Sequence, residues 1–286
     1  MPTQAASSGV PRPLGPGLRR IVAPNPSPMT FRGTNTYLLG TRGLAVIDPG
    51  PDSPAHLEAI LAALEPGQRI THILVTHAHL DHSPLARRLS QATDAPVLAF
   101  GDARAGRSAV MSRLAETGLA GGGEGVDAGF LPDVSLADGA AVTGDGWALR
   151  ALHTPGHFGN HLCFAAEDVL FTGDLVMGWA SSLVSPPDGD LTDFMASCTR
   201  LAARRWRVMH PGHGAPIADP AARLDWLVAH RRSREAQIRA ALAEAPGTAA
   251  ELARRIYADT PPDLLPAAAR NVFAHLVDLD ARGAAR

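Results

Sequence analysis

The stretch Thr76-His77-Ala78-His79-Leu80-Asp81-His82 follows an apolar run, Ile70 to Val75, and precedes a helical pattern from Pro84 to Ser90. The apolar run reads as a strand, so the polar segment occupies a strand-to-helix turn. In extended chain, residues i and i+2 project to the same side, which lets His77 and His79 approach one ion together. The turn then carries Asp81 and His82 round from the start of the helix. Imidazole nitrogen and carboxylate oxygen both suit zinc, at roughly 2.0–2.2 Å. Four donors within six positions, framed by a strand and a helix, mark a metal site rather than a polar loop.

Four donors do not fill two sites, so others must come from further along. His157 stands in Thr154-Pro155-Gly156-His157, Asp174 in Phe171-Thr172-Gly173-Asp174 and His213 in Pro211-Gly212-His213-Gly214. Each is a ligand-type residue beside glycine, at the exit of a strand-like run. Loops at such exits are where sites are assembled.

The surrounding pattern is mixed. Strands are predicted over 35–39, 44–48, 96–100, 141–152, 161–166, 168–172 and 208–210. Helices are predicted over 52–64, 192–203 and 220–243, which together indicate a layered α/β fold. Residues 1–18 read as a disordered tail, and 101–140 as a Gly-rich excursion over the surface. After about residue 230 no strand-like run remains. Helices fit 230–243, 248–258 and 265–282, broken at Pro246-Gly247 and Pro261-Pro262. Thr248 with Glu251 three residues on is a capping-box signal. The expected division is a tail at 1–18, a catalytic domain at 19–228 and a helical domain at 229–286.

Composition narrows the function. The 286 residues are 45% apolar and 19% charged, with a formal net charge of −2. That balance gives no whole-chain attraction to nucleic acid or anionic lipid. All 26 basic residues are Arg, which excludes a Schiff-base lysine and a P-loop lysine. Cys163 and Cys198 are too few for a disulfide scaffold, and both read as small buried hydrophobes. No run is long and apolar enough for a membrane span, and the first 20 residues hold four Pro and no long apolar stretch. A cytoplasmic protein without membrane contact is expected.

The His77–His82 run with TPGH at 154–157, FTGD at 171–174 and PGHG at 211–214 resembles the metallo-β-lactamase superfamily, in order and rough spacing. The resemblance covers about residues 20–215. It implies an αββα sandwich of four layers, with the site at one edge of two sheets. It also implies that His77, His79 and His157 hold one zinc, that Asp81, His82 and His213 hold a second, and that Asp174 bridges them. Manganese or iron are alternative occupants. A hydroxide shared by the two ions would be the nucleophile, Asp81 would orient it, and His161 would donate to a leaving group or hold a ligand in place. Asp48 would partner a ligand histidine. Trp179 and Ser182, just after the bridging Asp, would line the substrate cleft. His153 and His210 read as structural, and His56, His72, His230 and His275 as isolated residues without a catalytic role.

Antibiotic-hydrolysing members of the superfamily commonly carry Cys where this chain has Asp174. The carboxylate resembles instead the glyoxalase II-like and phosphodiesterase-like branches. A narrower resemblance, to the beta-lactamase-like protein 2 branch, lies in Asn25–Thr30, Gly33–Leu38, His230–Ile238, Ile256-Tyr257 and Pro266–Val272. It implies a small winged-helix-like C-terminal domain and puts phosphodiester cleavage in single-stranded RNA first among substrates. Thioester or ester hydrolysis of glyoxalase II type is the alternative, with lactones and β-lactams behind both. Residues 230–286 hold nine Arg against seven acids, a weak footprint for nucleic acid, and Tyr257 and Phe273 are their only aromatic residues for base stacking. The appendage is therefore expected to pack on the catalytic domain or to mediate a homodimer ahead of binding nucleic acid.

Overall fold

The structure, a computed structural model, describes residues 8–119, 121 and 125–284. Its first sheet runs in chain order, from β1 (Arg12–Gly15), β2 (Leu18–Val22), β3 (Asn35–Leu39) and β4 (Gly43–Ile47) to β5 (Arg69–Leu74), β6 (Val97–Ala99) and β7 (Val134–Ser135). The hairpins β1–β4 are antiparallel, and β4 to β7 are parallel. The second sheet comprises β8 (Ala141–Gly144), β9 (Trp147–His153), β10 (Leu162–Ala166), β11 (Val169–Gly173) and β12 (Val208–Pro211), paired in that order.

The sheets pack face to face. Tyr37, Ile47, Leu74, Leu149, Phe164 and Phe171 are among the buried side chains that fill the space between them. Each such burial contributes about 1.5–3 kcal/mol. The outer face of the first sheet is covered by α1 (Pro54–Ala62) and α2 (Leu85–Thr93), through Ile60, Leu85 and Leu89. The outer face of the second is covered by α4 (Leu191–Ala202) and α5 (Pro220–Glu244), through Phe194, Leu201, Leu224 and Leu227. The order helix, sheet, sheet, helix is the expected four-layer αββα sandwich. Strand β4 is buried along its whole length, as a central strand covered on both faces must be.

Helix starts follow local chemistry. Ser53 caps α1 ahead of Pro54, and Asp219 caps α5 ahead of Pro220. The expected capping box of Thr248 and Glu251 forms at α6 (Ala249–Ile256). A 3-10 turn at Pro262–Leu264 leads into α7 (Leu265–Ala281). Helices α6 and α7 and the end of α5 close a small core of Ile238, Leu252, Val272 and Leu279.

The structure revises three boundaries. Residues 12–15 are not part of a disordered tail: they form edge strand β1 against β2. Residues 1–7 of that expected tail lie outside the described residues. The 101–140 stretch contains helix α3 (Ala109–Glu116), capped by Ser108, as well as β7. Its Gly-rich flank hid that short element. The boundary drawn at 228/229 falls inside α5, which runs unbroken from the sandwich into the appendage. No strand follows β12 among the described residues, so the wing of the expected winged-helix domain is not among them.

Candidate metal centre

The site forms where strand ends of both sheets meet. Asn35 at the start of β3 ties the sheets together there: its Nδ2 donates to Pro211 O at 2.9 Å and its backbone N–H to Gly212 O at 2.7 Å. Tyr37 Oη adds a bond to the same Pro211 carbonyl at 2.6 Å. These bonds aim the turn after β12, and with it His213, at the end of β5.

Two groups of donors result. His77, His79 and His157 form one, and Asp81, His82, Asp174 and His213 the other; within each, the ligand atoms lie within 4.8 Å of one another. In the first group, His79 Nδ1 lies 2.9 Å from His77 Nε2 and 3.1 Å from His157 Nε2. In the second, Asp81 Oδ2 lies 3.1 Å from His213 Nε2 and 3.3 Å from His82 Nε2. Asp174 reaches across: its Oδ2 is 3.1 Å from His213 Nε2 and 3.8 Å from His157 Nε2. Its Oδ1 is buried without a hydrogen-bond donor among the described residues. All seven side chains are buried or nearly so.

This donor set fits a pair of divalent ions. Burial and neighbouring histidines hold His77 and His79 neutral, His79 at about 3, so their lone pairs are available as ligands. Burial would raise the Asp81 and Asp174 carboxyls, but His82 and His213 outweigh it and keep both well below the usual range. Burial also works against charge on His82 and His213, yet Asp81 and Asp174 outweigh it, and His213 is pushed up to about 10. Cations are what this second group demands, and a metal ion meets that demand by displacing the protons.

The ligands are themselves held. The Asp48 carboxylate accepts from His82 Nδ1 at 2.9 Å, from Thr76 Oγ1 at 2.8 Å and from the Thr76 backbone N–H at 2.8 Å. Thr76 Oγ1 in turn accepts from His77 Nδ1 at 2.9 Å. Asp48 therefore steadies one histidine in each group, the role expected of it for one. It sits in the left-handed region, at φ 52°, a strained position for a non-glycine residue. His157 Nδ1 donates to Leu183 O at 2.7 Å, and His213 Nδ1 to Gly33 O at 3.3 Å. Each of these bonds directs the opposite ring nitrogen at the centre.

The glycines beside the ligands have a packing reason. A Cβ at Gly173, where φ is +45°, would lie 2.7 Å from His161 Nε2 and 2.8 Å from Thr76 Oγ1. Only glycine lets β11 turn there with Asp174 following.

A family model described as the metallo-beta-lactamase superfamily matches residues 29–233. The chain belongs to the metallo-β-lactamase superfamily. A second model, the beta-lactamase associated winged helix domain, matches residues 248–286. The chain is 33% identical over 281 residues to a Beta-lactamase-like protein 2 homolog of Drosophila melanogaster, covering 93% of this chain and 89% of that protein. It is 30% identical over 270 residues to an Atrochrysone carboxyl ACP thioesterase of Aspergillus fumigatus, covering 88% of this chain and 76% of the other. A beta-lactamase domain protein from Burkholderia ambifaria superposes with a TM-score of 0.81 at 25% identity, over 99% of this chain and 91% of that one. The metallo-β-lactamase fold and its hydrolase chemistry follow, with a His/Asp cluster suited to divalent metal.

The centre opens into a cleft of ≈ 290 Å³, with His79, Asp81, His157, Asp174 and His213 at its base. Trp179 lines it as expected, stacked on Phe31 at 5.0 Å. Ser182 does not. Its Oγ donates to Leu175 O at 2.9 Å inside the core, and its neighbours Ser181 and Leu183 face the cleft instead. One position along an extended loop reverses the side, which sequence could not resolve.

Of the two roles read for His161, its position suits the structural one rather than that of a proton donor. It is fully buried, bonded to Thr154 Oγ1 at 3.0 Å, with its ring 5.2 Å from that of His77 and outside the cleft. It packs behind the His77 and His157 rings, with its Nε2 buried and without a hydrogen-bond partner among the described residues. His230, read as isolated, does line the cleft, together with Arg234, Tyr257, Leu264 and Asn271 of the C-terminal region. That contribution had no local signal. It depends on how α5 and α7 dock against the loop after β11.

Among the described residues no helix is long and apolar enough to cross a membrane.

Proposed function

We propose that this protein is a dinuclear zinc hydrolase of acyl thioesters or esters with an apolar acyl group. One observation carries the reading: the two donor groups, linked by Asp174, form the base of a cleft whose walls are mainly apolar. Met29, Met177, Trp179, Leu183, Tyr257 and Leu264 supply those walls. A volume near the lower end of the roughly 300–1,000 Å³ typical of small-molecule sites suits an acyl group better than a polyanion.

A zinc pair, when bound, supplies Lewis acidity that acidifies water and polarises the scissile oxygen. His77, His79 and His157 would hold one ion, Asp81, His82 and His213 the other, and Asp174 both. The remaining chemistry belongs to the chain. Asp81 lies at the base of the cleft, held by His213 and by Thr34 Oγ1 at 3.3 Å. Its ionised carboxylate orients the attacking water by accepting a hydrogen bond from it. The apolar walls exclude other water and seat the acyl chain above the ligands. Arg234, 4.2 Å from the Tyr257 ring centroid, supplies a cation at the rim for an acidic leaving group.

Two observations bear on substrate class. Similarity to a thioesterase over most of the chain supports the acyl reading. Single-stranded RNA, first in the sequence reading, remains the second reading, supported by the stacked Phe31–Trp179 pair and the Arg32 guanidinium 5.4 Å from the Phe31 ring centroid. Such an aromatic platform beside a cation stacks a base.

The test is a panel on zinc-loaded protein: an aromatic acyl thioester, S-lactoylglutathione, a lactone, a cephalosporin and a fluorogenic single-stranded RNA. We expect the aromatic thioester to give the highest kcat/KM. Cleavage of RNA with every thioester inert would overturn the reading. His79→Ala and Asp174→Ala are expected to abolish turnover and lower bound zinc; full activity with undiminished metal in either would reject the centre.

A further inference from the structure

The carbonyl of Leu183 sits between two clamped neighbours. It accepts from His157 Nδ1 at 2.7 Å and so fixes which nitrogen of that ring faces the centre. On one side, the Ser182 carbonyl accepts from Arg231 Nη2. On the other, the Val184 backbone N–H donates to Asn271 Oδ1 at 3.0 Å. Arg231 Nη1 also donates to Asn271 Oδ1, at 2.8 Å, which joins the two clamps. Asn271 Nδ2 reaches back to Ala267 O at 3.3 Å along α7.

Arg231 is an unusual residue to bury. It is 2% exposed, has no carboxylate partner among the described residues, and packs against the Phe194 ring at 5.0 Å. A buried guanidinium without a counter-ion is costly unless its donors are used. Here Nη1 and Nη2 are spent on Asn271 and on a loop carbonyl, while Nε is buried without an acceptor among the described residues. Burial lowers its pKa to about 10, which leaves it charged at neutral pH.

We propose that Arg231 and Asn271 are positioning residues for the metal centre: they hold Ser182–Val184 so that Leu183 O orients His157, and thereby couple α7 of the C-terminal domain to one donor group. The C-terminal domain is thus part of what keeps the His77, His79 and His157 group assembled. The inference rests on the zinc reading proposed above, and concerns affinity for metal rather than choice of substrate.

The experiment is a zinc titration of the full chain against a chromophoric chelator, repeated with cobalt to read the ligand field. Arg231 is also a core residue, so Asn271 carries the test, with far-UV circular dichroism to verify the fold. In Asn271→Ala we expect one of two ions to bind about 10- to 100-fold more weakly, the other being unchanged. Asn271→Asp, which still accepts from Val184 and Arg231, should restore most of the loss. In a His157→Ala background, Asn271→Ala should have no further effect on affinity. Wild-type affinity for both ions in Asn271→Ala would overturn the inference, as would an undiminished effect without His157. A wild-type chain that takes up no metal would overturn the zinc reading and this inference with it, whereas an inert thioester panel on a chain that binds two ions overturns only the substrate.

Discussion

Asp48 shows how much a single carboxylate can organise. Through Thr76 it reaches His77, and directly it reaches His82, so it steadies a donor in each group. An amide in its place keeps the shape and loses the ability to accept at one of its two positions. Asp48→Asn is therefore expected to weaken both ions by about 10- to 100-fold, read by competition with a chelator. Unchanged affinity at either ion would show that Asp48 serves the fold alone. The donor residues were legible because ligand chemistry is local: histidines two apart on extended chain, and ligand-type residues beside glycines, need no partner to be recognised. Ser182 was not, because which side of an extended loop faces the cleft is set by packing, and for His161 packing alone decided between the two roles left open.

At the scale of elements, α4 links the core of the second sheet to the site. Phe194 is fully buried, packs under the Gly156 turn that precedes His157, and carries Arg231 on its ring. Truncation leaves a cavity at that junction. Phe194→Ala is expected to cost about 3–5 kcal/mol, measured by chemical denaturation. It should also loosen the His157 turn, seen as weaker binding of one ion. A loss below about 1 kcal/mol would mean that the surroundings collapse into the space. The elements themselves were largely readable, since β9 alternates between buried and exposed and α6 opens with a capping box. Helix α3 and strand β1 were missed because short elements flanked by glycine and proline carry little periodic signal. Helix α5 was read nearly whole, over 220–243, yet the domain boundary was drawn inside it because composition changes along it while its backbone does not.

For the whole molecule, the C-terminal domain forms one wall of the cleft. Tyr257 lies on that wall and is backed by Arg234. Tyr257→Ala should raise KM for an apolar acyl thioester several-fold with little change in kcat, because it removes binding without touching the metal donors. An equal fall in kcat with KM constant would place Tyr257 in the chemical step instead. The same domain also makes stability depend on pH. His275 on α7 is 1% exposed, has no hydrogen-bond partner among the described residues, and is lowered by burial to about 3. The unfolded chain takes up its proton below about 6.5, and the folded chain only near 3. Stability is therefore fully present above about 6.5 and falls as pH drops toward 3, by at most about 1.4 kcal/mol per pH unit for this residue. His56 and His210, each lowered by burial to about 4, add to the same trend. Thermal melts at pH 7.5 and 5 should show a smaller acid loss for His275→Phe than for wild type. An identical loss in both would remove His275 from the cause.

The amino-acid order by itself determined the chemistry of the centre and the layered fold around it, since donor type, strand and helix periodicity and glycine turns are properties of short stretches. Tertiary packing alone settled which wall faces the cleft and which groups steady the donors. Those outcomes depend on the docking of α5 and α7 against Ser182–Val184, contacts between residues 40 to nearly 90 positions apart. Because such contacts form only when separate cores close on one another, no local pattern encodes them.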